Sequence, residues 1–168
     1  MIDLSYVRLM ARYNAWQNEN LYTAAASLDD AARRADRGAF FGSIHGTLSH
    51  LLWADMMWLH RFSGTDKPAQ RIWQSAEMVT DWDDLAAQRR GFDGVIASWA
   101  EIVSPEWLAG ELSWFSGATQ REMRRPASVL VAHLFNHQTH HRGQVHAMLT
   151  AAGARPGDTD LMLLDSEA

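Results

Sequence analysis

PASVLVAHLFNHQTHHRGQVHAMLTAAG, residues 126–153, reads as one long helix whose inward stripe is unusual. Pro126 stands at a helix start, where its missing N–H costs nothing, and Gly153 is the residue type that closes helices in the left-handed conformation. With His137 as the centre and about 100° of turn per residue, Leu130, His133, Leu134, His141, Gln144 and Met148 fall within roughly 60° of it. Histidine therefore occupies positions where a buried stripe ordinarily carries aliphatic side chains. His137 and His141 are four residues apart, so their rings lie one above the other, about 6 Å apart along the axis, and can converge on one metal ion.

Three further helices are legible upstream. The first runs from Leu4 to Ala26, with Asp3 or Ser5 available as N-cap and Leu4, Val7, Met10, Ala11, Asn14, Leu21 and Ala25 near helical spacing. The charged stretch from Asp29 to Gly38 reads as a connection. Ser43 caps a second helix from Ile44 to about Phe62, apolar nearly all round through Leu48, Leu51, Leu52, Trp53, Met56, Met57, Trp58 and Leu59, and so expected to be well buried. Gly64 to Thr80, with Pro68, reads as a crossover loop. It leads to a third helix from Asp81 or Trp82 to Val103, where Asp83 and Asp84 suit the positive N-terminal end. Ser104-Pro105 stops that helix. Glu111 to Arg125 is open between a short hairpin turning at Ser116-Gly117-Ala118 and an irregular loop. The expected architecture is all-α, a four-helix bundle with a long crossover connection, as a single domain over residues 1–168.

Composition bounds the chemistry. A chain of 168 residues, 47% hydrophobic, can build a core that needs no structural metal. It has no cysteine, which excludes disulfides, Cys-based zinc sites and a Cys nucleophile, so any metal must be held by histidine and carboxylate. A formal net charge of -5 without a Lys/Arg tract argues against a nucleic-acid partner. The opening MIDLSYVRLMARY lacks a signal-peptide pattern, and no stretch approaches about 18 uninterrupted apolar residues. The expectation is a soluble cytoplasmic protein with no membrane partner.

A lone buried histidine is ordinarily a core residue bonded to a carbonyl or hydroxyl, and His45, His60 and His146 are read that way. Two imidazoles at i, i+4 on an apolar stripe are different, because each leaves a donor and an acceptor to be satisfied in one small volume. An HxxxH pair alone still leaves both readings open, and a third ligand decides between them. His133 and His140 lie beside the pair on the same helix and cannot easily complete a tetrahedral shell. His50, among large apolar residues of the second helix, is the better third ligand, because an unpaired imidazole there is expensive. His45 and His60 sit nearer the ends of that helix, where solvent can satisfy them. Asp55 lies about 140° round from His50, too far to share its ion but able to act elsewhere in the core.

The segments GSIHGTLSHLLWADMMWLHRF and HLFNHQTHHRGQVHAML, preceded by RYNAWQNENLY, together resemble the DinB family, the DinB/YfiT-like metal-binding four-helix bundles, which are distinct from the lesion-bypass polymerase of similar name. The resemblance runs from Tyr13-Asn14-Ala15-Trp16 through the loop around Gly117 to Asp160-Leu161, and its NHxxHHRGQ segment is far more specific than HxxxH. It implies a divalent ion, zinc or nickel, on His50, His137 and His141. It also implies relatives that use small-molecule thiols, among them bacillithiol-type transferases and a mycothiol-dependent maleylpyruvate isomerase, and it favours a homodimer.

Three neutral imidazoles leave an ion its full charge and an open fourth position. Such an ion suits the chemistry that the resemblance implies, so the expectation is a metal-dependent enzyme, a thiol transferase, isomerase or hydrolase, in which a low-molecular-weight thiol or water is activated against a small electrophilic substrate. A non-catalytic metal-binding stress-response protein or small-ligand-binding module is the alternative. Gln144, one turn past His141, is read either as orienting water or substrate or as bonding a neighbouring helix. Asn14 either reaches the site or ties helices together. Arg142, about 140° from His137, is expected in an ion pair or interface, His140 beside the site, and Gly143 where helices approach closely. Most of the eight tryptophans, Trp53, Trp58 and Trp114 among them, are read as core or interface anchors.

Overall fold

The computed structural model describes residues 2–117 and 119–164. Ala118, which the hairpin reading included, lies outside them. The helix α1 spans Leu4–Ala26, and Asp3 rather than Ser5 is its cap, accepting from Tyr6 N at 2.9 Å while Ser5 Oγ donates to the same carboxylate. The connection that follows contains one short helix, α2, Asp30–Arg34. Ser43 caps α3, Ile44–Ser63, by accepting from Gly46 N at 3.0 Å, and Gly64 ends it in the left-handed conformation at φ 73°. Asp81 caps α4, Trp82–Ile102.

Ser104-Pro105 does more than stop α4. Ser104 accepts from Trp107 N, and Pro105 is the first residue of a short helix α5, Pro105–Ala109. The ambiguous stretch is a hairpin, β1 Glu111–Ser116 against β2 Arg121–Pro126, antiparallel, with Glu111 opposite Pro126 and Trp114 opposite Met123. Pro126 thus ends a strand and holds the cap position of α6, Ala127–Ala151, one residue before the helix proper. Gly153, at φ 82°, closes it.

The helices α1, α4, α3 and α6 form a closed ring of neighbours, each packed against the next. Their directions follow from two apolar clusters. One gathers Val7 and Ala11 of α1, Leu59 and Phe62 of α3, Ile96, Trp99 and Ala100 of α4, and Leu130, Val131, Leu134 and Phe135 of α6. The other gathers the opposite ends: Leu21 and Ala25, Ile44, Leu48 and Leu52, Leu85, and Val145 and Leu149. Helices α1 and α6 therefore run one way, α3 and α4 the other. Because α3 and α4 are parallel, residues 64–81 must travel the length of the bundle, and they do so laid back along α3. His60 Nδ1 bonds Thr65 O, Trp53 Nε1 bonds Gln70 O, Ser49 Oγ bonds Ser75 O, and His45 Nε2 bonds Val79 O, in steady antiparallel order. A 3-10 helix, Ile72–Glu77, shapes its middle. Among the described residues no helix is long and apolar enough to cross a membrane.

Between the two apolar clusters lies a polar layer that all four long helices feed. Arg89 of α4 bridges Asp55 at 2.7 Å and Asp93 at 2.8 Å, Asn14 and Asn18 of α1 donate to Asp93, and Arg142 of α6 donates to Asn14. Asp55 is fully buried, as is Gln138 on the inner side of α6. Burial pushes the carboxyls of Asp55 and Asp93 up, an effect the Arg89 charge opposes. Burial also draws the Arg142 guanidinium down to about 10, still charged at neutral pH.

Candidate metal centre

At the level of this polar layer, on the seam between α3 and α6, three histidines meet. His50 comes from the buried first half of α3, His137 and His141 from consecutive turns of α6. Their candidate ligand atoms all lie within 4.8 Å of one another, and the two α6 rings face each other with Nε2 to Nε2 at 3.1 Å. Ring centroids are 4.4 Å apart for His137 and His141, 4.9 Å for His50 and His141, and 5.4 Å for His50 and His137. No other group of three or more His, Cys, Asp or Glu side chains gathers this way among the described residues.

The surroundings are apolar and hold the rings in place. Phe41, from the loop before α3, stacks on His50 at 3.7 Å between centroids, and Trp53 lies on the same ring at 5.9 Å. The outward nitrogen of His50, Nδ1, meets Ser75 Oγ at 2.8 Å, and His141 Nδ1 meets Gln144 Oε1 at 2.9 Å. His50 and His141 are buried, His137 is half-buried, and the neighbouring His133 and His140 are exposed. Burial pulls the His50 pKa down to about 3, helped by His141 and His137, and the His137 pKa down to about 3, helped by His141 and His133. His141 is lowered too, chiefly by burial, with the Gln144 bond opposing. All three rings are thus neutral at physiological pH, the form that offers a lone pair to a metal.

These residues fit a divalent cation. An ion bonded tetrahedrally at about 2.0–2.1 Å requires donor atoms roughly 3.4 Å apart, near the 3.1 Å between His137 and His141 Nε2, with the His50 donor within 4.8 Å of both. The Nε2 atoms of His137 and His141 lie 3.1 Å apart and His137 Nδ1 is buried without a partner, so a cation shared by the two Nε2 atoms would take their lone pairs and leave Nδ1 as the protonated nitrogen of His137. The donor set is nitrogen only, with no carboxylate among it.

Other residues singled out in the sequence lie as follows. Gln144 touches His141 directly. Asn14 bonds Asp93 and Arg142 in the polar layer, and neither of those belongs to the histidine cluster. Arg142 is buried toward α1, and Asp55 pairs with Arg89. Gly143 is exposed and a Cβ there would meet nothing within 4 Å, so the close helix approach expected at this position is absent. His133 rests edge-on against Trp58 at 5.1 Å, and His140 against His141 at 4.8 Å. His45 and His60 bond the carbonyls of Val79 and Thr65, as ordinary core histidines do. Sequence reasoning missed Ser75 and Phe41. A serine in a polar connection carries no signal, whereas the Phe40-Phe41 pair just ahead of the Ser43 cap was a visible apolar anchor.

The chain is 25% identical over 149 residues to protein DinB of Bacillus subtilis (strain 168), a match covering 88% of this chain and 87% of that one. Its fold matches the crystal structure of a DinB-like protein from Bacillus cereus ATCC 10987 with a TM-score of 0.63 at 18% identity, over 84% of this chain and 89% of that one. The profile of the DinB family matches residues 1–168, end to end. The four-helix bundle and its seam of three histidines thus stand in a chain that belongs to the DinB family.

Proposed function

We propose that this protein is a metal-dependent enzyme in which His50, His137 and His141 hold one divalent ion, zinc or nickel, for the activation of a low-molecular-weight thiol or water against a small electrophilic substrate. The observation that carries the reading is the donor set: three neutral imidazoles on an apolar seam, with no carboxylate to complete the shell and no cysteine in the chain. An ion so held keeps its full charge and lowers the pKa of a thiol or water bound in its remaining position. The protein's own part is to bind and orient. Gln144 and Ser75 hold two of the rings by their outer nitrogens, and Phe41 and Trp53 stack on His50. His137 is half-buried and its neighbours His133 and His140 are exposed, so this is the solvent-reached side of the cluster. Because the chain lacks cysteine, any thiolate must come from a second small molecule.

The test is a screen of the zinc- or nickel-loaded protein with glutathione and other cellular thiols against a panel of electrophiles, run beside His137→Ala. Thiol-dependent turnover that vanishes in the variant is the expected result. A loaded protein that neither turns over nor shows a thiol-dependent change in the absorption of a cobalt-substituted centre is a metal-binding module instead.

A further inference from the structure

His50 is gripped from outside the bundle by the crossover segment, and the polarity of that grip can be worked out. Ser75 Oγ lies 2.8 Å from His50 Nδ1 and 2.6 Å from the carbonyl oxygen of Ile72. A carbonyl only accepts, so two oxygens 2.6 Å apart require the hydroxyl proton between them. The Ser75 proton is therefore committed to Ile72, and only lone pairs remain toward His50. Nδ1 of His50 must then carry the ring proton, which leaves Nε2 bare. Ser75 has little freedom to do otherwise: it is fully buried, and its carbonyl accepts from Ser49 Oγ at 2.8 Å, the same hydroxyl that accepts from Val79 N at 3.3 Å.

We propose that Ser75 is a positioning residue for the metal centre, holding His50 in the one tautomer whose Nε2 can ligate an ion. The inference rests on the three-histidine reading above and adds to it a residue from a connection with no place in the motif. Gln144 plays the matching part at His141, its Oε1 accepting from Nδ1–H at 2.9 Å, whereas His137 Nδ1 has no partner. Two of the three rings are thus set before an ion arrives. An imidazole released from such a partner divides between tautomers, and loss of an outer partner of this kind ordinarily weakens metal binding about 10- to 100-fold.

The experiment uses the full chain, free of metal and labelled with 15N in its histidines, followed by zinc titration against a competing chelator. Two-bond 1H–15N spectra of the wild type are expected to show His50 in the Nδ1–H tautomer alone. In Ser75→Ala that single tautomer is lost and zinc binding weakens about 10- to 100-fold, with helical content kept. His60→Ala, which loosens the same segment at its start, where His60 Nδ1 bonds Thr65 O, without touching Ser75 or His50, keeps zinc affinity near wild type. Zinc affinity in Ser75→Ala equal to wild type overturns the proposal, as does an equal loss in His60→Ala. A wild-type His50 protonated on Nε2 overturns it as well, even if Ser75→Ala does not fold. Wild type that binds no zinc sinks the metal reading itself, whereas zinc-binding wild type with the wrong tautomer sinks only the role of Ser75.

Discussion

Arg89 and Arg8 are both paired arginines, and the bundle treats them very differently. Arg8 meets Glu101 at 3.0 Å on the surface, both side chains well exposed, and such pairs contribute about 0–1 kcal/mol. Arg89 is 2% exposed, and of its two carboxylates Asp55 on α3 is fully buried while Asp93 on its own helix is only slightly exposed. Removing one partner of a buried pair costs about 3–5 kcal/mol, a large share of the roughly 5–15 kcal/mol that holds a domain folded. Arg89→Leu is therefore expected to lower the urea midpoint severely and Arg8→Ala hardly at all. Equal effects in the two variants would show that the polar layer is not a load the fold depends on. This layer was only partly legible beforehand. The angle of Asp55 on its helix keeps it off the His50 ion, whereas Arg142, read from the sequence as an ion-pair or interface residue, is a core arginine bonded to Asn14 and Thr139, and nothing in a single helical stripe reveals that α6 is buried on a second side, toward α1. A stripe centred on His137 ranks Gln138 and Arg142 as outward, and both are core.

Among the elements, the long helices were readable because caps and periodicity agree in them. Asp3, Ser43 and Asp81 each cap a helix, and Gly64 and Gly153 each end one with positive φ. The short elements were not readable, for a physical reason. Helix α2, helix α5 and the 3-10 helix at Ile72–Glu77 are too short to show a period, and they exist because capping and tertiary contacts hold them. The hairpin between α5 and α6 is ambiguous in sequence with a loop, because β2, with Arg121, Arg124 and Arg125, lacks an alternating apolar face. Gly143 shows the opposite error. Its place in the motif suggested close packing, but it stands exposed in the middle of α6, where glycine only weakens a helix. Gly143→Ala is expected to raise stability by about 0.5–1 kcal/mol without changing zinc stoichiometry, measured by urea unfolding and metal analysis. A loss of stability would mean that some neighbour does need that space.

For the whole molecule, the parallel run of α3 and α4 has a consequence: the connection between them must cross the bundle, and in crossing it supplies Ser75 to the back of His50 while α6 supplies His137 and His141 to the front. Neutral histidines in this seam also set how the metal-free fold responds to acid. In the folded chain His50 and His137 titrate at about 3, against about 6.5 when unfolded. Between those values the unfolded chain binds protons that the folded chain refuses, so stability falls as pH falls below about 6.5. The raised carboxyls of Asp55 and Asp93 act in the opposite sense, so the histidine contribution is isolated by comparison with a variant. Urea midpoints of metal-free wild type are expected to drop between pH 7 and pH 5 more steeply than those of His137→Ala. Equal slopes would assign the acid response to other groups.

The central claim is that His50, His137 and His141 together hold one ion, and metal content per chain tests it most directly. Wild type equilibrated with zinc and then dialysed should retain one ion per chain by elemental analysis. His50→Ala, His137→Ala and His141→Ala should each retain none while keeping wild-type helical content by circular dichroism, since the two apolar clusters need no metal to form. A wild type that comes through dialysis without zinc, or variants that keep a full equivalent, would contradict it.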